Sequence, residues 1–172
     1  MLHHLSEQPG IKRFEPRASA LAPEPVVWAI ESARLHNYLL PRDCPRVTFY
    51  AGPATTPADV ERFLGGSPAV VTVESGWLDR IRAARLYAYQ LPEQTFTCID
   101  ACAGYHVSRE AVAPQGVEVF DDLLTAILAR GVELRVTPSL WPLHDAAAAS
   151  TLEFSIIRMR NAQPRSIVGV AR

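Results

Sequence analysis

The chain has 172 residues, of which 48% are hydrophobic and 20% charged, which excludes a disordered chain and a coiled coil. Its 17 basic and 18 acidic side chains leave a formal net charge of -1, so the electrostatic basis for binding nucleic acid or a membrane surface is missing. Lys12 is the single lysine, and the other basic side chains are arginines, which suit bidentate contacts with carboxylate or phosphate. A small anionic molecule is therefore the expected partner.

Short runs rich in β-branched and aromatic residues predict a series of strands. In chain order they are Met1–Leu5, Val26–Ile30, Val47–Tyr50, Val70–Val73, Leu86–Leu91, Phe96–Ile99, Tyr105–Ser108 and Val132–Val136. These runs follow one another too closely for regular βαβ crossovers. The spacing therefore favours antiparallel pairing.

Helix signals are fewer and lie between these strands. Thr56 and Pro57 precede Ala58–Leu64, and Gly65 follows it, which gives a short helix its N-cap, first-turn proline and terminal glycine. Apolar periodicity predicts three further helices. They cover Ser75–Ala84, Val117–Arg130 and Asp145–Asn161.

The segment Gln8–Pro25 contains several prolines without a clear period, which predicts a surface loop. Helices scattered among many strands indicate an α+β fold with a mainly antiparallel, split β-sheet. No repeat or linker divides the sequence, so we predict one domain over residues 1–172.

No apolar run is long enough for a signal peptide or a membrane span, so we expect a cytoplasmic protein without a membrane partner. Reduced thiols are then expected at Cys44, Cys98 and Cys102. The spacing Cys98-x3-Cys102-x3-His106 lacks the second paired cluster of a structural zinc site, and no metal is predicted there.

The first candidate site lies at the end of the first predicted strand. His4 and Ser6 share one face, because alternate residues of a strand point the same way. If Leu5 faces the core, His4 and Ser6 face a cleft or solvent, where they could bind a ligand hydroxyl or phosphate. Arg13 and Arg17 follow closely and add anion-binding donors. The alternative is an ordinary exposed histidine near the terminus.

The second candidate site is the segment Pro41–Arg46, just before a predicted strand. Its prolines hold Arg42 and Arg46 at small entropic cost, as a preorganised site requires. These arginines could contact a ligand or a structural carboxylate. They could also stabilise a thiolate at Cys44, although a small buried filler is the more common role for a free cysteine.

The third candidate site is the strand Tyr105–Ser108 with Glu110 beyond it. Alternation places His106, Ser108 and Glu110 on one face, where they could orient a sugar and supply a general base. The alternative is the polar face of a half-exposed antiparallel strand. Familiar signatures are missing: the sequence has no P-loop, GxGxxG, GxSxG or HExxH motif.

Several strings carry a resemblance to known proteins. They are LHHLSEQPGIKRFEPR, PEPVVWAIESARLHNYLLPRDCPRVTFY, AGYHVSREAVAP, ARGVELR and FSIIRMRNA. Over nearly the whole chain they resemble a small bacterial family without an assigned activity. The order of a histidine-bearing strand, an I-x-x-F-x-P-R loop and a late strand leading to a glutamate is also similar to the ADP-ribosyltransferase fold.

That second resemblance implies a cleft for NAD as substrate and two catalytic residues, His4 on the ribose and Glu110 at the oxocarbenium-like transition state. It also implies that Tyr38 or Trp28 stacks on the nicotinamide. Ligand contacts are then expected from the remaining candidate residues, Ser6, Arg17, Arg42, Arg46, Tyr105 and Ser108. This chain lacks the family's second-strand tyrosine, Ser-Thr-Ser triplet and Glu-x-Glu or Gln-x-Glu pair.

Three functional hypotheses follow. The first is a nucleotide-binding protein with NAD chemistry like that of the ADP-ribosyltransferases. The second is a non-catalytic domain that binds a small ligand or a partner, because the sequence has no complete catalytic motif. The third is a reactive thiol at Cys44, which full burial of that side chain would exclude.

Overall fold

A computed structural model describes residues 1–19 and 21–165. The chain forms two compact units, one from Met1–Arg42 and Arg80–Arg130, the other from Asp43–Asp79 and Gly131–Arg172. Each unit has its own sheet and its own hydrophobic core. The single domain over residues 1–172 stays a prediction.

The strands of the described residues are listed here in chain order. They are β1 (Leu2–Ser6), β2 (Arg17–Ser19), β3 (Ala22–Glu31), β4 (Arg46–Tyr50), β5 (Ala69–Glu74), β6 (Leu86–Leu91), β7 (Thr97–Asp100), β8 (Tyr105–Ser108), β9 (Gly116–Phe120), β10 (Glu133–Thr137) and β11 (Glu153–Ile157). The α-helices are α1 (Pro57–Asp59), α2 (Leu78–Ala83), α3 (Leu123–Leu128) and α4 (Trp141–Ala148). A π-helical segment, Val60–Leu64, continues α1, and 3-10 helices cover Ser32–Tyr38, Ser75–Trp77 and Met159–Asn161.

The sheet of the first unit has the order β7-β8-β3-β1-β6-β9, and β2 also pairs with β3. All of its pairings are antiparallel. The residues before β2 cover one face of this sheet: Phe14 exchanges two backbone hydrogen bonds with Val112, and the Tyr89 hydroxyl donates to the carbonyl of Gln8. The core on this face includes Leu2, Phe14 and Tyr89.

The sheet of the second unit has the order β10-β5-β4-β11. Its pairings are antiparallel except for the parallel pair β10 and β5. The central strands β4 and β5 are buried along their whole length, as expected for strands covered on both faces. Phe49 and Val70 pack with Phe63, Leu140 and other apolar side chains in the core of this unit. The mainly antiparallel α+β fold class is therefore confirmed.

The predicted strands are all present. Leu86–Leu91 and Tyr105–Ser108 have the predicted ends, and the ends of the others are shifted by one or more residues. Two helix predictions are confirmed. Thr56 accepts a hydrogen bond from the backbone N–H of Asp59 at the start of α1, and Gly65 ends the following segment with a φ of 54°. The left-handed conformation explains the glycine there. The predicted helix Ser75–Ala84 forms as a 3-10 turn followed by α2.

Two other helix predictions are wrong for more than half of their residues. Val117–Arg130 begins as β9, paired with β6, and only Leu123–Leu128 is helical. Asp145–Asn161 ends its helix at Ala148, and Glu153–Ile157 pairs with β4 as β11. In both segments, β-branched residues form backbone hydrogen bonds with a strand that is distant in the chain. A local helical period in the sequence does not reveal such pairing.

Sequence patterns do not predict two further elements. The predicted loop Gln8–Pro25 contains β2 and the first residues of β3, and the sequence has no clear signal for the 3-10 helix Ser32–Tyr38. The prolines of this segment argue against strands, because proline normally interrupts a strand pattern. The structure places Pro23 and Pro25 within β3 itself.

The N-cap of α3 gives a measurable prediction. The Asp122 carboxylate accepts hydrogen bonds from the backbone N–H of Thr125 at 3.0 Å and from its hydroxyl at 2.6 Å. Replacing Asp122 by alanine should lower the free energy of unfolding by about 1 kcal/mol, measured by urea denaturation. Asp121→Ala is the matched neighbour and should cost clearly less, since its exposed ion pair with Arg85 contributes little. Equal losses in the two variants would contradict the capping role.

Candidate functional site

His4 lies in β1, at the centre of the first unit's sheet, and is half-buried. Its Nδ1 is 2.8 Å from the backbone carbonyl oxygen of Trp28. Its ring centroid is 4.6 Å from that of Phe14. The imidazole is therefore fixed in orientation by a hydrogen bond on one side and by an aromatic ring on the other.

The surroundings of His4 keep it neutral. Burial lowers the pKa of His4 most, and the positive charges of Arg42 and Arg17 lower it further, against the opposing effect of the hydrogen bond to Trp28. A carbonyl oxygen can only accept, so neutral His4 carries its proton on Nδ1. The other nitrogen, Nε2, then has a free lone pair and makes no hydrogen bond to a described residue.

His4, Arg17 and Arg42 form the group that we call the His4 cluster. Glu7 contributes to its geometry, because its carboxylate accepts a hydrogen bond of 2.8 Å from the backbone N–H of Arg42. Arg17 is positioned by β2, where it pairs with Val26 of β3. Both arginine side chains are exposed. The His4 cluster therefore combines one neutral hydrogen-bond acceptor, His4, with two cations from distant positions in the chain.

The other predicted residue of the first strand, Ser6, has a local partner. Its hydroxyl accepts a hydrogen bond from the backbone N–H of Gln8 at 3.0 Å, which turns the chain at the end of β1. Ser6 shares the His4 face and is half-buried. The structure therefore shows Ser6 in a turn, and its contact with a ligand stays a prediction.

Glu110 follows β8 and is exposed. It lies two residues before Val112, whose backbone is paired with that of Phe14, the ring that packs on His4. The Ser108 hydroxyl is buried, donates a hydrogen bond to Thr95 Oγ1 at 2.9 Å and accepts one from the backbone N–H of Glu110 at 3.1 Å. Ser108 therefore fixes the backbone at Glu110.

Tyr105 belongs to an aromatic group on β3 and β8. Its hydroxyl is hydrogen-bonded to that of Tyr38, and its ring meets the Trp28 ring edge-on at a centroid distance of 5.8 Å. This geometry is typical of packing aromatics. In the described structure Tyr105 contacts both Tyr38 and Trp28. Stacking of either ring on a nicotinamide stays a prediction.

Arg46 and Cys44 lie in the second unit and are buried. Arg46 donates from Nη1 to the carbonyl of Cys44 at 2.8 Å. The Cys44 side chain is 0% exposed, which confirms the prediction of a buried filler and argues against a reactive thiol. The role of Arg46 in ligand binding stays a prediction, and the contact that the structure shows is structural.

A pocket of about 270 Å³ in the first unit was not foreseen from the sequence. It is lined by Leu2, Glu31, Glu93, Phe96, Cys98 and His106, among others. Cys98 and His106 face each other across β7 and β8. No local pattern marks Glu31 or Glu93, because only strand pairing brings them to this pocket. Within residues 1–19 and 21–165, no three His, Cys, Asp or Glu side chains are grouped so as to hold a metal ion.

None of the helices in the described ranges has the length and apolar character needed to cross a membrane. Comparisons with curated proteins and with solved structures found no match. A family model does match, and it extends over residues 3–162, from the strand that carries His4 to the end of the second unit's described helices. The chain therefore belongs to the family of unknown function DUF6886.

Proposed function

We propose that the protein binds a nucleotide at the His4 cluster, with NAD as the first molecule to test. The observation that carries this proposal is the fixed neutral tautomer of His4 beside two arginine charges. Its Nε2 can accept a hydrogen bond from a ribose hydroxyl. Arg17 and Arg42 can donate charge-assisted hydrogen bonds to the phosphates.

A nucleotide fits this arrangement better than an inorganic anion does. A phosphate at pH 7 offers mainly acceptor oxygens, which suit arginines but do not suit an acceptor nitrogen. A ribose supplies the hydroxyl donor that His4 Nε2 needs. The neutral overall charge of the chain is consistent with this, because the cations are local to the cluster and do not form a broad field.

Glu110 is the candidate catalytic residue for a reaction of the bound NAD. Cleavage of the bond between ribose and nicotinamide passes through a positively charged sugar, which a carboxylate stabilises. Glu110 is exposed, and its backbone is tied through Val112 to Phe14 beside His4. We therefore include Glu110 as the candidate carboxylate of an NAD-cleaving or ADP-ribosyl-transferring step.

Titration calorimetry with NAD and ADP-ribose tests the binding. We expect saturable binding of both, and at least about tenfold weaker binding to His4→Phe, since one hydrogen bond to the ligand is lost. His144→Phe is the control, because His144 lies in the second unit and pairs with Asp145. Absence of both binding heat and a thermal shift at about 1 mM ligand would overturn the proposal.

Nicotinamide release separates catalysis from binding alone. If Glu110 acts on NAD, Glu110→Gln should abolish nicotinamide release and leave the NAD affinity within about threefold of wild type. Binding without any release by the wild-type protein would instead favour a non-catalytic nucleotide-binding domain. The neighbouring Arg109→Gln variant is the control, because Arg109 is held by an exposed ion pair with Glu24.

A further inference from the structure

The pocket of about 270 Å³ in the first unit contains a nucleophile and a base that the proposed nucleotide site does not use. Cys98 of β7 and His106 of β8 both line this pocket, and they are directly opposite each other in the antiparallel pair. Residues in this relation point to the same face of a sheet, with their Cβ atoms about 4.5–5.5 Å apart. Rotation about the side-chain bonds can therefore bring the imidazole into hydrogen-bonding distance of the thiol.

Cys98 is accessible to a small molecule. Its side chain is exposed, in contrast to that of Cys44, which is buried. Neither the Cys98 thiol nor the His106 ring makes a hydrogen bond to another described residue. The thiolate is the nucleophilic form of cysteine, and a neighbouring imidazole that accepts the thiol proton is a common means of producing it. The pair therefore has the composition and the accessibility of a reactive thiol.

Glu93 supplies a carboxylate to the same pocket. The hydrogen bond and the charge of the Met1 ammonium lower the pKa of Glu93 most, burial opposes this, and the charge of His106 lowers it further. His106 thus lies within electrostatic range of a carboxylate, which would stabilise the imidazolium formed when His106 takes a proton. Nucleophile, base and carboxylate are the three parts of an activated cysteine.

The carboxylates of this pocket also favour a ligand with a positive charge. The Met1 ammonium contacts Glu93 at 2.6 Å, and the half-buried Glu31 adds a second negative charge to the lining. At short range these charges repel an anion and attract an ammonium group. The volume of the pocket limits its ligand to a small molecule.

We infer that Cys98 is a reactive thiol that forms a mixed disulfide with a small disulfide carrying an ammonium group, and that His106 is its base. His106 accepts the thiol proton, and the Cys98 sulfur attacks one sulfur of the small disulfide. The bond between the two sulfurs of that molecule breaks, and the departing thiolate takes the proton from His106. The products are the mixed disulfide at Cys98 and one free small thiol. This reaction uses no residue of the His4 cluster and does not depend on nucleotide binding.

Cystamine, a disulfide with two ammonium groups, is the probe, and bis(2-hydroxyethyl) disulfide is its neutral counterpart. The variants Cys102→Ser and Cys98→Ser of the full chain each retain one of the two exposed cysteines, so a single mixed disulfide is expected in each. Cys102 is the reference thiol, because it is exposed but does not line the pocket. Mass spectrometry of the intact protein at low ionic strength measures the rate at which each adduct forms.

With cystamine, Cys98 should react at least about tenfold faster than Cys102. The ratio of the two rates should be at least about threefold smaller with the neutral disulfide, because the attraction to the carboxylates is lost. Comparing ratios cancels the different intrinsic reactivities of the two disulfides. Equal rates at the two cysteines, or a ratio that is no smaller with the neutral disulfide, would overturn the inference.

Two further variants, made in the Cys102→Ser background, separate activation from charge. His106→Gln should slow the reaction of Cys98 with both disulfides about tenfold, because the proton acceptor is lost. Glu31→Gln should slow the reaction with cystamine about threefold more than the reaction with the neutral disulfide. His144→Gln, in the second unit and outside the pocket lining, is the control and should react like its parent. An unchanged rate in His106→Gln would contradict the role of His106 as base.

Discussion

Replacing both Arg17 and Arg42 by glutamine should weaken NAD binding by about 100-fold, equivalent to roughly 3 kcal/mol. The charges of both arginines lower the pKa of His4, although burial lowers it more. Each would donate charge-assisted hydrogen bonds to a phosphate, and glutamine offers only a neutral donor. Titration calorimetry at low ionic strength measures the loss, and the single variants should each show a part of it.

The control for this double variant removes the same net charge elsewhere in the first unit. Arg85 and Arg109 are exposed, and each pairs with a carboxylate, Asp121 and Glu24 respectively. Arg85→Gln with Arg109→Gln should change the NAD affinity by less than about threefold at the same ionic strength. Equal losses in the two double variants would show that NAD responds to the general field of the protein and not to the His4 cluster.

The salt dependence gives a second measurement on the same variants. Wild-type affinity should fall as ionic strength rises, because the contacts between phosphate and arginine are screened. The Arg17 and Arg42 double variant should show a clearly smaller decrease. The hydrogen bond to His4 Nε2 is uncharged, so the affinity that remains should depend little on salt.

Local signals in the sequence were sufficient for some parts of the fold. The caps at Thr56 and Gly65 depend only on neighbouring residues, and the structure confirms them. The strand Tyr105–Ser108 is present with the predicted ends. In contrast, β9 and β11 depend on pairing with β6 and β4, far away in the chain. Such pairing overrides a local helical period, which explains both wrong helix predictions.

Local sequence patterns likewise predict only part of the candidate site. Alternation correctly places His4 and Ser6 on one face of β1, but it does not show what covers that face. Leu2 and His3 are both buried, so β1 is covered on both sides. The contact between His4 and Phe14 and the hydrogen bond to Trp28 come from residues that sequence patterns cannot bring together.

Arg42 and Arg46 are a further example, because they look equivalent in the sequence. Arg42 is exposed in the first unit, where its charge lowers the pKa of His4, whereas Arg46 is buried in β4 of the second unit. Only four positions separate them, and the boundary between the two units falls between them. Proline spacing alone gives no sign of that boundary.

His36 leads to the second large prediction, a loss of stability in weak acid. It is buried in the 3-10 helix Ser32–Tyr38, and its Nε2 makes no hydrogen bond to a described residue. Burial lowers the pKa of His36 to about 4, with further contributions from the positive charges of Arg34 and Arg130. The folded protein therefore keeps His36 neutral under conditions in which an unfolded chain would protonate it.

The sign of the pH effect follows from proton binding. Between the unfolded pKa of about 6.5 and the folded pKa of about 4, the unfolded state binds the additional proton, so acid favours unfolding. Above that window His36 is neutral in both states and contributes no pH dependence. Between pH 7.5 and pH 4.5, His36 alone should remove roughly 2 kcal/mol from the free energy of unfolding.

His36→Leu tests this prediction, because leucine has a similar volume and no titratable group. Urea denaturation at pH 7.5 and pH 4.5 should show that the variant loses roughly 2 kcal/mol less than wild type over this interval. Some acid sensitivity should remain, because burial also lowers the pKa of His3 and of His4. His144→Gln, at the ion pair with Asp145, should retain nearly the whole wild-type decrease. If His36→Leu shows the same decrease as wild type, the buried neutral imidazole of His36 does not control acid stability.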